Sequence, residues 1–215
     1  MNWLARFFGT NQQPEKAISS HGIEVCDSYK LASTLPSLPS DLSAWLGKGK
    51  TDIISHLEGI QFQEMPDRTG QLDSEWRQIL FMVSWTNEEG SSFSRPIRVS
   101  HNQQTGIVWY VHLPMKLNSP LPKVAAIGTD DTFQSCVKKL GEPTSDIQTA
   151  PITRVAWWNI NGAIVQVTYY SEAYADIDQV FQAGELDMVM VFRPDLAPPG
   201  FNHAPREFDP AKGWE

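Results

Sequence analysis

The stretch Val155-Ala-Trp-Trp-Asn-Ile-Asn-Gly-Ala-Ile-Val-Gln-Val-Thr-Tyr-Tyr170 carries the clearest short-range fold signal in the chain. Asparagine and glycine both tolerate positive φ, which a two-residue turn needs if its twist is to match that of its strands. Asn161-Gly162 therefore predicts a tight hairpin joining Val155–Ile160 to Ala163–Tyr170. Successive strand residues point to opposite faces, so the adjacent Trp157 and Trp158 divide between the two sides of the sheet. Upstream, Thr129 to Thr144 reads as one short helix. Thr129 is expected to cap it, with Asp130 and Asp131 at the positive end of its dipole. Phe133, Cys136, Val137 and Leu140 recur at the spacing of one helical face. Lys138 and Lys139 fall in the last turn, Gly141 stops the helix, and Pro143 prevents its restart. Adjacent residues on a helix diverge by about 100°, so the two aspartates converge poorly on a metal ion and are read as capping charge.

Working outward, Ser171 to Gly184 is an acidic excursion with a helical reading, and Leu186–Phe192 makes the last strand. Residues 195–215 are a proline-rich tail without regular structure; either Phe201, Phe208 and Trp214 pin it to the body or it is disordered, and the sequence does not choose between the two. Toward the N-terminus, His21–Cys26 alternates as a strand. Asp41 is a good cap for the segment carrying Leu42, Trp45 and Leu46, and Thr51 to Gly59 reads as a second capped helix. Ile79–Trp85 is a buried strand, turned by Asn87 to Gly90 into Ser94–His101, which Pro96 marks as an edge or as irregular at its start. Asn102 to Gly106 turns again into Ile107–Leu113. Alternation there groups Ile107, Trp109, Val111 and Leu113 against Val108, Tyr110 and His112. The fold class is α+β: an antiparallel sheet, or sheets, with short helices packed on one face. The organisation is an N-terminal amphipathic segment and linker (1–20), a first half (21–120), a second half (121–194) and the tail. Each half offers a capped helix followed by strands, which either reflects duplication or is a coincidence of generic caps.

The chain has 215 residues, 41% of them hydrophobic, with 17 basic and 25 acidic side chains and a net charge of -8. Such a composition is that of a folded protein, and the acidic surface disfavours nucleic acid and anionic lipid while attracting basic partners. The longest apolar runs are strand-length, so no integral membrane segment is expected. Trp3, Leu4, Phe7 and Phe8 make one face of a short N-terminal helix with Arg6 opposite. That face is expected to pack on the domain, with membrane-surface docking as the alternative. Cys26 and Cys136 belong to no metal-spacing motif, and reduced thiols in a cytoplasmic protein are expected.

No catalytic signature is legible. The five histidines, His21, His56, His101, His112 and His203, form no ligand pair at metal spacing, and neither a nucleophile elbow nor a phosphate-binding glycine loop is present. No cofactor is expected. His101 and His112 flank one hairpin, where they are expected at the surface. The chain holds eight tryptophans. Trp109, Tyr110, Trp158 and Tyr170 are candidates for an exposed aromatic platform, against the alternative of a large aromatic core.

Leu140-Gly-Glu-Pro-Thr144, followed by Arg154-Val-Ala-Trp-Trp-Asn159 and Ile164-Val-Gln-Val-Thr-Tyr169, resembles a helix, LGxP, strand, turn, strand unit. This unit is associated with small bacterial α+β proteins: domains of the BamE type, and immunity proteins encoded beside interbacterial toxins. The cysteine that anchors an outer-membrane assembly factor near its N-terminus is missing, so the resemblance implies an immunity-like protein. Its partner would be a basic cognate toxin. Glu88 and Glu89 in one turn, Asp176 and Asp178 in another, and Trp109 and Trp158 on the sheet are the candidate contacts. The alternatives are an enzyme acting on carbohydrate or peptide, and a structural component of a phage or secretion apparatus.

Overall fold

The computed structural model describes residues 38–66, 76–86, 92–115, 121–176, 179–199, 201 and 207–209. In chain order its strands are β1 (Phe62–Pro66), β2 (Trp76–Thr86), β3 (Ser92–Asn102), β4 (Val108–Pro114), β5 (Ser145–Ala150), β6 (Thr153–Ile160), β7 (Ala163–Tyr170), β8 (Tyr174–Asp176), β9 (Gln179–Phe181) and β10 (Leu186–Phe192). Its helices are α1 (Lys50–His56) and α2 (Phe133–Leu140), with 3-10 turns at Leu42–Trp45 and Pro194–Leu196. The molecule is mainly sheet. Eight strands form one antiparallel sheet in the order β1-β2-β3-β4-β10-β7-β6-β5, and β8 pairs with β9 apart from it. None of the described helices is long and apolar enough to cross a membrane.

The quoted hairpin forms as read. Ile160 pairs with Ala163, and Asn161 and Gly162 between them adopt φ of 51° and 80°. Trp157 and Trp158 separate as the strand period requires. Trp158 is buried in the larger hydrophobic cluster, and Trp157 packs against a smaller one on the other side of the sheet. The chain follows a simple rule: read inward from the edges, the strands run β1, β2, β3, β4 from one side and β5, β6, β7, β10 from the other. β4 and β10 meet at the centre, with Phe192 opposite Tyr110 and Val189 opposite Leu113.

The larger cluster joins Ile79, Phe81, Val99, Val111, Val167 and Val191 of the sheet to Leu42, Trp45, Ile53 and Cys136. Trp45 meets Phe81 edge-on at 6.2 Å, and Phe133 stacks on Tyr169 at 4.1 Å. The Trp158 indole N–H donates to the Gly141 carbonyl at 2.8 Å, tying the end of α2 to β6. A helix of two turns cannot hold itself in water, so these contacts keep α2 folded. Leu140 is half-buried against this cluster. The smaller cluster holds Trp76, Trp109, Tyr110, Ile164 and Phe192, and the tail covers it with Leu196, Ala197 and Phe201. Phe201 pins the tail. The backbone N–H of Phe208 donates to Gln148 on β5, whereas Trp214 lies outside the described residues.

Several local expectations are corrected. The cap of α2 is Thr132, not Thr129: its hydroxyl accepts from the Ser135 N–H while the Ser135 hydroxyl accepts from the Thr132 N–H. Asp131 therefore precedes the helix and is buried, accepting from the Gly128 N–H (2.7 Å), Ser135 Oγ (2.6 Å) and Lys139 Nζ (2.6 Å). α1 starts from Gly49, with Thr51 inside the helix and no side-chain cap. Asp41 does cap its turn, accepting from the Ser43 N–H. β3 as a whole lies between β2 and β4. Its start, where Pro96 stands opposite Met82 of β2, has no registered partner on β4, whose pairing runs from Arg98 to His101. The strand is one-sided at the proline, as read. Residues 174–181 form a hairpin instead of a helix. The strand at His21–Cys26, the turn at Asn87–Gly90 and the N-terminal amphipathic segment lie outside the described residues.

Removing the Asp131 carboxylate strands three donors, one of them charged. Asp131→Ala is expected to cost about 2–4 kcal/mol, whereas the exposed Asp130→Ala should stay within about 0.5 kcal/mol. Half-buried Leu140→Ala falls between them, at about 1–2 kcal/mol. Urea unfolding with a shared slope checks the order, and equal small changes at Asp131 and Asp130 would mean that the lock at the start of α2 contributes nothing.

Candidate functional site

Between β7 and β10 the chain leaves the sheet to make the β8–β9 hairpin. Tyr174 pairs with Phe181, Ala175 with Val180 and Asp176 with Gln179. An Ala-, Glu- and Gln-rich stretch reads as helix by propensity, but aromatic contact decides otherwise. Phe181 stacks on Tyr170 at 4.4 Å, and Tyr174 lies parallel to Phe181 at 6.4 Å. Stacks of this kind add about 0.5–1.5 kcal/mol beyond area burial. The base is clamped by backbone bonds from Gly184 N to Tyr170 O (2.7 Å), Tyr170 N to Glu185 O (3.0 Å) and Phe133 N to Gly184 O (2.8 Å). Beyond this foot Ala175 and Val180 are exposed, Val180 at 65%, and Glu172 is exposed just before β8. The register leaves Ile177 and Asp178 between the paired ends, outside the described residues.

A groove of about 520 Å³ opens where the Leu42–Trp45 turn approaches α2 and the central strands, lined by Asp41, Leu46, Ala126, Leu140, Val191 and Arg193 among others. Its wall contains a two-residue turn made of alanines, Ala125 and Ala126, at φ of 51° and 65°. Positive φ costs an alanine roughly 1–2 kcal/mol. The Asp41 carboxylate holds the turn by accepting from both N–H groups, at 3.0 and 2.6 Å. Burial pushes the Asp41 carboxyl up, but the bonds from Ser43, Ala126 and Ala125 outweigh it and hold it below the ordinary value. Lys139 donates to the Ala126 carbonyl as well as to Asp131, so one polar chain joins the first turn to α2.

The sheet buries titratable groups on both faces. His101 and His112 are not a surface pair: His101 is fully buried opposite Val108, and His112 is buried opposite Arg98. Nδ1 of His101 lies 3.1 Å from the Asn102 carbonyl. Its Nε2 is 3.3 Å from Glu64 Oε1, and Lys50 holds the same carboxylate at 2.8 Å. Neither nitrogen of His112 has a hydrogen-bond partner, and nor does the buried Ser100 hydroxyl. Burial, helped by the Arg98 charge, brings the His112 imidazole down to about 4, so it is neutral. Burial and then the Asp131 charge push the Cys136 thiol up to about 12, the state of an inert small hydrophobe. Among the described residues no three His, Cys, Asp or Glu side chains gather as a metal site.

The residues singled out in the sequence are not brought together. Trp109, Tyr110, Trp158 and Tyr170 are buried, so none forms an exposed platform. Alternation also places Trp109 on the wrong face. A bulge at this position sets His101 opposite Val108 but Ser100 opposite Tyr110, turning Trp109 to the side of Tyr110, with ring centroids 5.3 Å apart. Asp176 lies on β8 beside the hairpin's paired end, while Glu88, Glu89 and Asp178 fall outside the described residues. Sequence reasoning missed Val180, the Asp41–Ala125–Ala126 lock and the edge strands β1 and β5. The one available signal for the hairpin was the spacing of Tyr174 and Phe181 about a short acidic turn. No protein-family model, curated protein or solved structure matches the chain.

Two outcomes follow from this geometry. Above about pH 6.5 His112 is neutral whether folded or unfolded and has no effect. As pH falls from there, the unfolded chain takes up a proton that the folded one refuses, so stability drops by about 2 kcal/mol between pH 7.5 and 5 from this residue alone. His101, whose burial also lowers it despite Asn102 and Glu64, adds a loss of the same sign. His112→Phe, which removes no hydrogen bond, should flatten the dependence by the His112 share, read from denaturant midpoints at the two pH values. Ala126→Gly should raise stability by about 0.5–1 kcal/mol, the strain relieved less the added freedom of the unfolded chain.

Proposed function

We propose that this protein is a non-catalytic, acidic binding protein that captures a basic protein partner, most consistently as an immunity protein neutralising an interbacterial toxin in the bacterial cytoplasm. The observation that carries the reading is the β8–β9 hairpin: a short projection whose base is fixed by stacked aromatics and backbone bonds, and which exposes Val180, with Glu172 exposed just before β8. A pre-organised apolar contact is the form in which a small surface binds tightly, because little is left to order on association. The net charge of -8 supports it by drawing a basic partner in. Asp178, Glu88 and Glu89 belong to the same acidic contact set, whereas Trp109 and Trp158 are assigned to the core. The fold reading that accompanies this takes the two halves as copies of one helix-plus-meander unit, with the helices on the face of the larger cluster.

Expression of the neighbouring gene with and without this protein tests the reading. Growth arrest relieved by co-expression is the expected result, and a harmless neighbour or unrelieved arrest overturns it. With the partner in hand, replacing Glu172 and Asp176 by lysine should slow association about tenfold or more at low salt. Unfolding of the free protein should not change. An unaltered association rate would move the contact surface away from the hairpin.

A further inference from the structure

The tail segment Pro194-Asp-Leu-Ala-Pro-Pro-Gly-Phe201 lies on an aromatic surface in the manner of a bound peptide. Phe201 meets Trp109 edge-on at 4.8 Å and Phe192 at 5.6 Å, with Leu196 and Ala197 packed on the same cluster. Pro198 is buried, while Pro194 and Pro199 face solvent. The segment's described backbone bonds close within itself and the residue before it: Leu196 N to Arg193 O, Ala197 N to Pro194 O and Phe201 N to Pro198 O. Lifting it breaks none of these. Among its described residues the segment meets the sheet through apolar side chains, on a receptor surface built from Trp76, Trp109, Tyr110 and Phe192. Backbone bonds hold the chain on either side of it, from Arg193 N to the Trp109 carbonyl and from Phe208 N to the Gln148 carbonyl. The fit is also incomplete. Trp109 is fully buried, and its indole N–H finds no acceptor. An enclosed donor left without a partner is unfavourable, and a peptide carbonyl is the group that would satisfy it.

We infer that this aromatic surface is a binding site for proline-rich peptide segments ending in an aromatic residue, occupied in cis by the chain's own tail. Proline-rich segments suit such a surface because their backbone is already stiff, so little conformational freedom is lost on docking. Being tethered, the tail competes at an effective concentration on the order of millimolar. A partner's segment binds only when it outcompetes or displaces the tail. The site is separate from the β8–β9 hairpin and does not depend on the partner proposed for it.

The test uses the full chain, labelled so that tryptophan indole N–H resonances are visible. The probe is a synthetic peptide of the sequence Pro194–Phe201, with a control peptide in which the phenylalanine is replaced by alanine. A full-length variant carrying Leu196→Ser and Phe201→Ser removes the tail's two largest anchors. The expected result is a saturable shift of the Trp109 signal in this variant, with an apparent affinity about tenfold or more above that of the unsubstituted protein. The control peptide should give no shift. A folded variant that gives no saturable shift overturns the proposal. So does loss of cooperative folding in both this variant and the milder Phe201→Leu, because the tail would then be part of the core and not a displaceable ligand. Equal shifts with the two peptides would also overturn it, since the aromatic residue would not be recognised.

Discussion

The backbone pairing of β4 with β10 makes one sheet out of two meanders that are each local in the chain. Every other strand neighbour is close in sequence or lies on its own side of this seam. Here Val111 faces Val191 and Leu113 faces Val189, all essentially without exposed surface. Antiparallel neighbours exchange backbone bonds, and their side chains must pack on both faces. The seam therefore fixes where the larger and smaller clusters lie and which strands remain as edges. The edges are short: β1 ends at Pro66, and β5 receives a bond from the tail. Both features limit further strand addition.

Polar groups make the connections that the sheet cannot. The chain from Asp41 through the Ala125–Ala126 turn to Lys139 and Asp131 links the first 3-10 turn to α2. It works because each carboxylate oxygen finds donors. Burial alone would favour the neutral acid, and the hydrogen bonds reverse that balance at both aspartates. A turn of two alanines in the left-handed region persists only where its surroundings over-determine it, and Asp41 supplies that restraint. The same physics run without partners gives the buried His112, whose neutral ring sits between strands with both nitrogens unserved.

Two surfaces stand out from this frame, and they differ in how they are held. The β8–β9 hairpin is clamped by backbone bonds and exposes Val180, as suits a fixed projection presented to a partner. The tail covers aromatic surface with Leu196, Ala197 and Phe201, and the described backbone bonds that tie it to the sheet lie on either side of that cover, at Arg193 and Phe208. The distinction rests on where the backbone hydrogen bonds go. A segment bonded to the body shares its stability, while one bonded to itself can separate at the cost of its apolar contacts.

What the sequence determined by itself was local. Asn161-Gly162 specified its hairpin because positive φ at both positions is a property of those residues. Ala163–Tyr170 and Leu186–Phe192 announced themselves by apolar runs of strand length, and Gly141 stopped α2 where expected. Edge strands β1 and β5 were not legible, because a strand paired on one side and half-exposed needs no apolar pattern. Thr129 was read as the cap of α2, but residue type alone does not place a cap. The choice fell to Thr132, where a bridge to Glu185 and the reciprocal bonds of Ser135 converge. Residues 171–184 favoured helix by composition, and contact with Tyr170 made them a hairpin. Trp109 shows the limit most plainly. Alternation assigns it to the face of Val111, but one extra residue opposite Ser100 and His101 turns it to the other side, where Phe201 covers it. A bulge is a property of two paired strands, so only the tertiary structure could decide which face that tryptophan would share.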